Sequence, residues 1–282
     1  MSMLDQIILT LPEIKGEHAR DSRKYNELRD VLRKEVEQTF SGLDAAPKSF
    51  PPFGDIVFPY HKMGAIDSLN LFDLDEIIIF SYYWKNRDRY KKAADIGANI
   101  GLHSIIMSKC GFQVRSFEPD PNHFTIIQRN LKANGCASVE PINAAVSSKP
   151  GTMEFIRVVG NTTGSHLAGS KSNPYGKLDK FPVKVEGIVP IIEWADFIKL
   201  DSEGHEKEII SATTKDHWQK TDAMIEVENS DNAKALYDFF KENGINMFSQ
   251  KLNWGRVEKA EDMPVGYKEG SLFVSAKDSM PW

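Results

Sequence analysis

A glycine-containing turn and a later carboxylate could together hold an adenosine-bearing cofactor. The turn is Asp95-Ile96-Gly97-Ala98-Asn99-Ile100-Gly101, which follows a short apolar run and leads directly into a helical pattern. Small residues at such a turn let the backbone approach a ligand closely. Glu118 ends the next apolar run, roughly 20 residues further on, where nucleotide-binding folds place the carboxylate that binds ribose hydroxyls. The two features predict a site for a cofactor that contains adenosine.

The residues at this turn favour a cofactor without phosphate groups. A dinucleotide fingerprint requires glycine-like residues at positions 97, 99 and 102, whereas the chain has Gly97, Asn99 and Leu102. A pyrophosphate needs bare backbone beside the helix N-terminus, and the Asn99 side chain crowds that space. S-adenosylmethionine carries no phosphate, and polar side chains can hold its amino-acid end. It is therefore the predicted cofactor, and an NAD-dependent oxidoreductase is a more distant alternative.

Three polar residues, Asp201, Glu203 and His205, follow a later apolar run and form the predicted catalytic group. Open α/β sheets bind ligands at the carboxyl ends of their strands. Methyl transfer from a sulfonium depends mainly on positioning, but a hydroxyl acceptor must also lose its proton. We assign His205 as the general base and Asp201 as the residue that orients the acceptor or the cofactor amine. Structural roles remain open for His205 at a helix start and for Glu203 as an anion in that helix's first turn.

A divalent metal is a second way to activate a hydroxyl at this place. Asp201, Glu228 and Asn229 would lie together if their strands are neighbours, and such oxygen ligands suit Mg²⁺. Spacing alone does not establish a metal site. We therefore assign no metal ligands and prefer a metal-independent reaction.

Alternating strand and helix patterns from Lys91 onward must position these residues. The predicted strands are 93–96, 113–118, 138–146, 197–200 and 223–227, and the predicted helices between them are 102–110, 122–134, 206–213 and 232–243. This alternation indicates a doubly wound, mostly parallel α/β sheet, which strands at 247–251 and 271–276 close with an antiparallel last strand. An amphipathic helix over 22–42 and a proline-rich connector suggest two parts. These are an N-terminal helical extension (1–52) and an S-adenosylmethionine-dependent methyltransferase domain (53–282).

Three sequence blocks resemble those of one methyltransferase family. Residues 197–206 read FIKLDSEGHE and resemble the signature of the FkbM family, and DIGANIG at 95–101 and FEPDP at 117–121 match two further blocks. The resemblance covers roughly residues 64–276. It implies a class I (Rossmann-like) methyltransferase fold and O-methylation of a small-molecule hydroxyl, often on a sugar. It also implies cofactor contacts by Asp95, Gly97, Asn99, Gly101 and Glu118, with Asn143 and Ala144 at the adenine edge.

Composition argues against nucleic-acid and membrane partners. The 282 residues carry a net charge of −5 and no basic stripe, whereas proteins that bind nucleic-acid phosphates usually have one. Residues 172–175 read SNPY and lack the second proline of the NPPY motif of base methylases. No apolar run approaches the roughly 20 residues that a membrane helix needs. The start of the chain has no basic secretory segment, so we expect a cytoplasmic protein.

The expected partner is a small molecule or carbohydrate, whose identity the sequence does not fix. Segments 1–64, 160–190 and 250–270 are expected to shape its pocket, and the Gly/Ser/Thr-rich loop around His166 is expected to border it. The N-terminal extension could cover this pocket, form a homodimer contact or only pack on the domain. Two other functions remain as alternatives: a nucleic-acid methyltransferase on the same fold, and a cofactor-binding protein without transferase activity.

Overall fold

The computed structural model describes residues 3–64, 66–170 and 176–282. The helices are α1 (Met3–Thr10), α2 (Arg23–Phe40), α3 (Leu74–Lys85), α4 (Leu102–Lys109), α5 (Pro121–Ala133), α6 (Ile188–Trp194), α7 (Glu206–Ser211) and α8 (Ser230–Glu242). The strands are β1 (Lys48–Ser49), β2 (Asp55–Ile56), β3 (Lys92–Ile96), β4 (Gln113–Phe117), β5 (Val139–Ile142), β6 (Ala145–Ser147), β7 (Gly151–Val158), β8 (His166–Leu167), β9 (Leu178–Gly187), β10 (Phe197–Leu200), β11 (Asp222–Ile225), β12 (Asn246–Ser249), β13 (Gly255–Arg256) and β14 (Leu272–Ser275). The SNPY stretch at 172–175 lies outside the described residues.

The main sheet has the strand order β13-β12-β14-β11-β10-β3-β4-β5. Strands β5, β4, β3, β10 and β11 run parallel, and β14 lies antiparallel between β11 and β12. This arrangement confirms the predicted doubly wound sheet with an antiparallel last strand. Helical segments cover both faces because both faces of the central strands are apolar. No helix among residues 3–64, 66–170 and 176–282 has both the length and the apolarity to cross a bilayer.

The strand register brings the predicted site residues to one edge of the sheet. Ile96 at the end of β3 pairs with Phe117 of β4 and with Leu200 of β10, and Leu200 pairs with Ile225 of β11. The next residue along each of these strands is therefore at the same edge. Those residues are Gly97, Glu118, Asp201 and Glu226.

The N-terminal helices pack into the same hydrophobic core as the sheet. Ile8, Leu32 and Phe40 belong to one buried cluster with Phe80 of α3 and Ile105 of α4. Ser22 caps α2 by accepting hydrogen bonds from two backbone N–H groups, as the pattern over 22–42 predicts, and the helix ends at Phe40. The division at residues 52 and 53 stays a prediction, and the extension is joined to the domain by this shared core.

A second, smaller sheet follows β5 and was not predicted. Its strand order is β6-β9-β7-β8, and β7 pairs antiparallel with β9 along its whole length. The single strand predicted over 138–146 is wrong in this respect, because β5 belongs to the main sheet and β6 to the second one. The second sheet ends at β8, which carries His166 toward the edge where the main strands end.

Candidate functional site

A cavity that is open to solvent lies where β3, β4 and β10 end, and its empty space, open solvent included, is about 640 Å³. Gly97, Asn99, Glu118, Ala144 and Asp201 line it, so the structure brings together these predicted cofactor residues. The loop of the second sheet closes the opposite side with Thr162, Ser165, His166 and Leu167. The sequence prediction that the loop around His166 borders the pocket is confirmed, although His166 is buried there and not a surface residue.

The turn after β3 has a backbone that requires glycine at its first position. Gly97 has φ +79°, and a Cβ added there would lie 1.6 Å from the Asp201 carbonyl oxygen. Asn99 also has a positive φ, +54°, a conformation that asparagine adopts more readily than most residues. The turn therefore packs directly on the end of β10 and leaves its backbone facing the cavity.

Glu118 is fixed to this turn by backbone hydrogen bonds. The Asn99 N–H donates to Glu118 Oε2 at 2.9 Å, and the Asp120 N–H donates to Oε1 at 2.8 Å. The carboxylate is 6% exposed, and this burial raises its pKa to about 8 against the contrary effect of the two N–H donors. A carboxylate held this way presents its remaining lone pairs to the cavity, where hydroxyl donors could satisfy them.

Three of the predicted cofactor residues do not line the cavity but lie next to the loops that form it. Asp95 is fully buried, and its Oδ2 accepts a hydrogen bond from Ser104 Oγ at 2.6 Å. Gly101, with φ +90°, precedes the first turn of α4. Asn143 donates from Nδ2 to the carbonyl oxygens of Glu118 and Pro119 at 2.8 and 3.1 Å. Their contacts fix the loops after β3 and β4, and direct cofactor contact stays a prediction for them.

A second, larger cavity adjoins the first, and its empty space, open solvent included, is about 1450 Å³. Asn99, Asp201 and Glu203 line both cavities and therefore form the junction between them. Its other walls come from Arg20, from the segment that begins α3 and from the loop that precedes β14. The N-terminal and 250–270 segments were predicted to lie near the pocket, but the acidic start of α3 was not. The Asp73-Leu74-Asp75-Glu76 stretch was the available signal.

A buried lysine lies next to Asp201. Lys199 Nζ donates to Asp201 Oδ2 at 3.1 Å, and Lys199 is 7% exposed. Burial disfavours the ammonium, but the charges of Asp201, Asp95 and Glu76 outweigh burial and raise the Lys199 pKa. Glu226 has a pKa well above its usual range, first because of the Asp201 charge and second because of burial. The junction therefore combines one ammonium with several carboxylates.

His205 is placed away from both cavities. Its Nε2 hydrogen-bonds with Ser147 Oγ at 2.8 Å and its Nδ1 with Ser170 Oγ at 3.1 Å. The ring is buried, which lowers its pKa, and the described linings of the two cavities do not include it. The general-base role of His205 stays a prediction, and these contacts favour a structural role.

Glu206 holds the turn that carries Glu203. Its Oε1 accepts the N–H groups of Ser202 and Gly204 at 3.0 and 3.1 Å, and its Oε2 accepts from Asn232 Nδ2 at 2.9 Å. Burial raises the Glu206 pKa to about 7 despite these donors. Glu203 itself has φ +55° and lines both cavities. Glu206 was not predicted as a site residue, because a glutamate in the first turn of a helix usually faces solvent.

The residues weighed for a metal do not form a ligand set in the described part of the chain. No group of three or more histidine, cysteine, aspartate or glutamate residues there is arranged to hold a metal ion. Asn229 uses its side-chain oxygen to cap α8 by accepting the Asn232 N–H at 3.0 Å. Asp201 and Glu228 do line the second cavity together.

Comparison with known proteins links the site to one family. The model described as "Methyltransferase FkbM domain" matches residues 95–247, more than half of the 282 residues. The chain is 24% identical over 198 residues to the methyltransferase sdnD of Sordaria araneosa, covering 57% of this chain and 75% of that one. It is 27% identical over 177 residues to the hexuronic acid methyltransferase AglP of Haloferax volcanii, covering 62% and 70% of the two chains.

A solved structure is similar to this chain at low identity. An O-methyltransferase from Bacillus cereus in complex with SAH is 9% identical with a TM-score of 0.37, covering 70% of this chain and 80% of that chain. The family match itself spans the turn after β3, Glu118 and the 197–206 block. The chain therefore belongs to the FkbM family, with a class I methyltransferase fold, and it is a methyltransferase.

Proposed function

We propose that the enzyme uses S-adenosylmethionine to methylate a hydroxyl group of a small molecule or sugar. The observation that carries the proposal is the position of Glu118, whose carboxylate is tied to the Asn99 N–H and faces the first cavity. Two hydroxyls of a ribose would donate to such a carboxylate.

The charges of the first cavity support this cofactor over NAD. Glu118, Asp120, Asp201 and Glu203 line it, and no lysine or arginine is among the described lining residues, although Arg157 pairs with Asp120 and Lys199 with Asp201 from outside the lining. Acceptor oxygens without a cationic side chain in the lining suit a sulfonium better than a pyrophosphate. S-adenosylmethionine bound there supplies an electrophilic methyl group on a positively charged sulfonium. Asn99, in place of the second fingerprint glycine, is compatible with that ligand.

The junction residues would position the acceptor and remove its proton. Asp201 is held by the Lys199 ammonium, so we assign it to orienting the acceptor hydroxyl by accepting its hydrogen bond. Glu203 is the second carboxylate at the junction, and we assign proton removal to it. His205 is kept as the alternative base from the sequence, although both its ring nitrogens bond to serine hydroxyls.

A hydroxyl-rich acceptor fits the second cavity better than a nucleic acid does. Its lining is rich in carboxylates, which accept hydrogen bonds from hydroxyls and repel phosphates. The relative AglP is a hexuronic acid methyltransferase, which supports a carbohydrate as the acceptor. A nucleic-acid acceptor remains the second candidate only through the shared fold.

A labelled-methyl screen tests this proposal. The purified enzyme is incubated with methyl-labelled S-adenosylmethionine and a panel of glycosides, hydroxylated small molecules and nucleic acids. The methylated atom is then located by mass spectrometry and NMR. We expect label on a hydroxyl oxygen of a small molecule or glycoside. Label only on nucleic acid, or on nitrogen, would contradict the proposal.

A further inference from the structure

Arg157 of the second sheet forms an ion pair with the loop that follows β4. Its Nε donates to Asp120 Oδ2 and its Nη2 donates to Asp120 Oδ1, both at 2.7 Å. Two parallel bonds of this kind fix the geometry of a carboxylate as well as balance its charge. The ion pair therefore joins β7 to the short segment that carries Glu118.

The ion pair is buried, so each partner depends on the other. The side chains of Arg157 and Asp120 are 14% and 1% exposed. Burial by itself would raise the Asp120 pKa, but the hydrogen bonds from Arg157 and from the Asn122 N–H lower it below its usual value. Asp120 is therefore ionised in the fold, and removal of the guanidinium would leave a buried charge without its counterion.

Arg157 is itself held in place by the neighbouring strand β9. Its Nη1 donates at 2.9 Å to Oδ2 of Asp179, the residue that pairs with Arg157 across the two strands. The guanidinium carbon also lies 4.5 Å from the centre of the Phe181 ring. A guanidinium that is already ordered loses little further freedom when it binds a carboxylate. The second sheet therefore presents a preorganised donor pair to Asp120.

Asp120 transmits this constraint to Glu118 through its backbone. The Asp120 N–H donates to Glu118 Oε1 at 2.8 Å, and Asp120 Oδ1 also accepts the Asn122 N–H at 2.8 Å and caps α5. A shift of the Asp120 side chain would therefore move the peptide whose N–H orients the Glu118 carboxylate. Arg157 is not among the described residues that line the first cavity, so any effect on a ligand there has to pass through these neighbours.

We propose that Arg157 is a positioning residue for the cofactor, because it holds Asp120 so that the Asp120 N–H orients Glu118 toward the ribose hydroxyls. This inference rests on the proposed function, since it names a further residue of the same cofactor site. It gives β7 and β9 a part in binding the methyl donor, in addition to the loop around His166 that lines the cavity. An ion pair that only supports the fold would not act through Glu118.

A double-mutant cycle tests whether Arg157 acts through Glu118. Calorimetry measures the Kd of S-adenosylhomocysteine for wild type, Arg157→Gln, Glu118→Ala and the double variant. We expect Arg157→Gln to bind this ligand about tenfold more weakly than wild type. In the Glu118→Ala background the same substitution should change the Kd less than about twofold, because no carboxylate is left to orient. The same tenfold loss in both backgrounds, or no loss in either, would overturn the proposal.

Two further variants separate the contacts of Arg157. Asp179→Asn removes a partner that is 54% exposed and leaves the bonds to Asp120 in place, so the Kd should stay within about twofold of wild type. Arg157→Lys keeps the charge without the paired donors, and its Kd should lie between those of wild type and Arg157→Gln. It also replaces Arg157→Gln in the cycle if denaturation shows that the latter does not fold. A loss in Asp179→Asn as large as that in Arg157→Gln would contradict the role of the bonds to Asp120.

A ligand without ribose hydroxyls gives a result that a general loss of stability would not produce. The 2′,3′-dideoxy analogue of S-adenosylhomocysteine has no ribose hydroxyls to donate to Glu118, so its Kd for wild type and Arg157→Gln should agree within about twofold. An equal loss for the analogue and the parent ligand would overturn the positioning role. Absence of S-adenosylhomocysteine binding to folded wild type would refute the proposed function together with this inference. Normal wild-type binding with equal losses in both backgrounds of the cycle would refute the positioning role alone.

Discussion

The α-carbon of Gly97 faces the carbonyl oxygen of Asp201, so closely that a Cβ at position 97 would lie 1.6 Å from that oxygen. This contact joins the turn after β3 to the residue that ends β10. It also fixes the junction between the two cavities, because Asp201 lines both of them. The turn after β3 and the end of β10 are therefore one unit of structure.

Gly97→Ala should damage both folding and cofactor binding. The methyl group would clash with the Asp201 carbonyl, and alanine also disfavours φ +79° by about 1–2 kcal/mol. Gly111→Ala is the matched control, because Gly111 has φ +88° and a methyl group added there would meet open space. Chemical denaturation should show a larger loss of unfolding free energy for Gly97→Ala than for the control. Equal losses in the two variants would show that the contact with Asp201 is unimportant.

Glu118→Gln should weaken S-adenosylmethionine binding and stabilise the ligand-free protein. Where the Glu118 side chain is ionised, loss of charge-assisted hydrogen bonds to a ribose should cost about 1–3 kcal/mol of binding free energy. The Glu118 pKa is raised from 4.5 to about 8 by burial, so the carboxyl group favours folding fully below pH 4.5. That contribution is lost as the pH rises to 8, by up to about 4 kcal/mol.

The unfolding free energy of wild type and Glu118→Gln is therefore measured from pH 4.5 to 8.5, beside calorimetry of the cofactor. Glu140→Gln, at an exposed side chain of β5, is the control. We expect the variant to gain stability relative to wild type as the pH rises. Unchanged cofactor affinity in a folded Glu118→Gln protein would remove Glu118 from the binding site.

Glu203→Gln should lower kcat by roughly 10²–10⁴-fold if Glu203 removes the hydroxyl proton. Cofactor affinity should change little, because the substitution keeps the shape of the side chain. His205→Gln is the comparison that separates the two candidate bases. Since its ring bonds only to Ser147 and Ser170 among the described contacts, we expect this variant to lose stability but less than tenfold in kcat. The opposite pattern would restore His205 as the base.

His18 should make the fold sensitive to mild acid. Its Nε2 donates to the Leu11 carbonyl at 3.0 Å, and Trp254 Nε1 donates to its Nδ1 at 2.8 Å, so the ring is neutral in the fold. Burial lowers its pKa from 6.5 to about 4. The unfolded chain therefore binds the proton more readily, and stability should fall by about 3 kcal/mol between pH 6.5 and 4.

His18→Gln should reduce that slope, measured by denaturation at several pH values, whereas His217→Gln near the surface should keep it. A slope that is the same in wild type and His18→Gln would show that His18 does not titrate in this range. Other buried histidines, such as His123, contribute to the slope that remains.

Much of the fold could be predicted because local patterns and tertiary packing agree in the main sheet. Strands such as β3 and β10 are short, apolar and buried on both faces, so their runs are visible in the sequence. The turn after β3 and Glu118 were identified because a glycine turn lets the backbone approach a nucleotide, and a carboxylate at that spacing binds its ribose hydroxyls. The register of β3, β4 and β10 then brings them together.

The second sheet and the carboxylates that line the second cavity could not be predicted, because both depend on contacts between segments far apart in sequence. Strand β7 shows no regular alternation of exposed and buried residues, and β9 alternates only in its second half. Their pairing also joins segments that residues 159–177 separate in the chain. The carboxylates that line the second cavity come from segments far apart in sequence, so only the fold shows that they share a cavity. His205 illustrates the same limit, because its position after β10 does not reveal that its ring turns toward two serines.

Calorimetric titration of the wild-type enzyme with S-adenosylmethionine, S-adenosylhomocysteine and NAD tests whether the cavity beside Glu118 binds the sulfonium cofactor. The cavity beside Glu118 is lined by carboxylates and by no described lysine or arginine. We therefore predict saturable binding of the first two ligands and none of NAD at the same concentrations. Binding of NAD that is as tight as that of S-adenosylmethionine, or no binding of S-adenosylmethionine to the folded protein, would contradict the account.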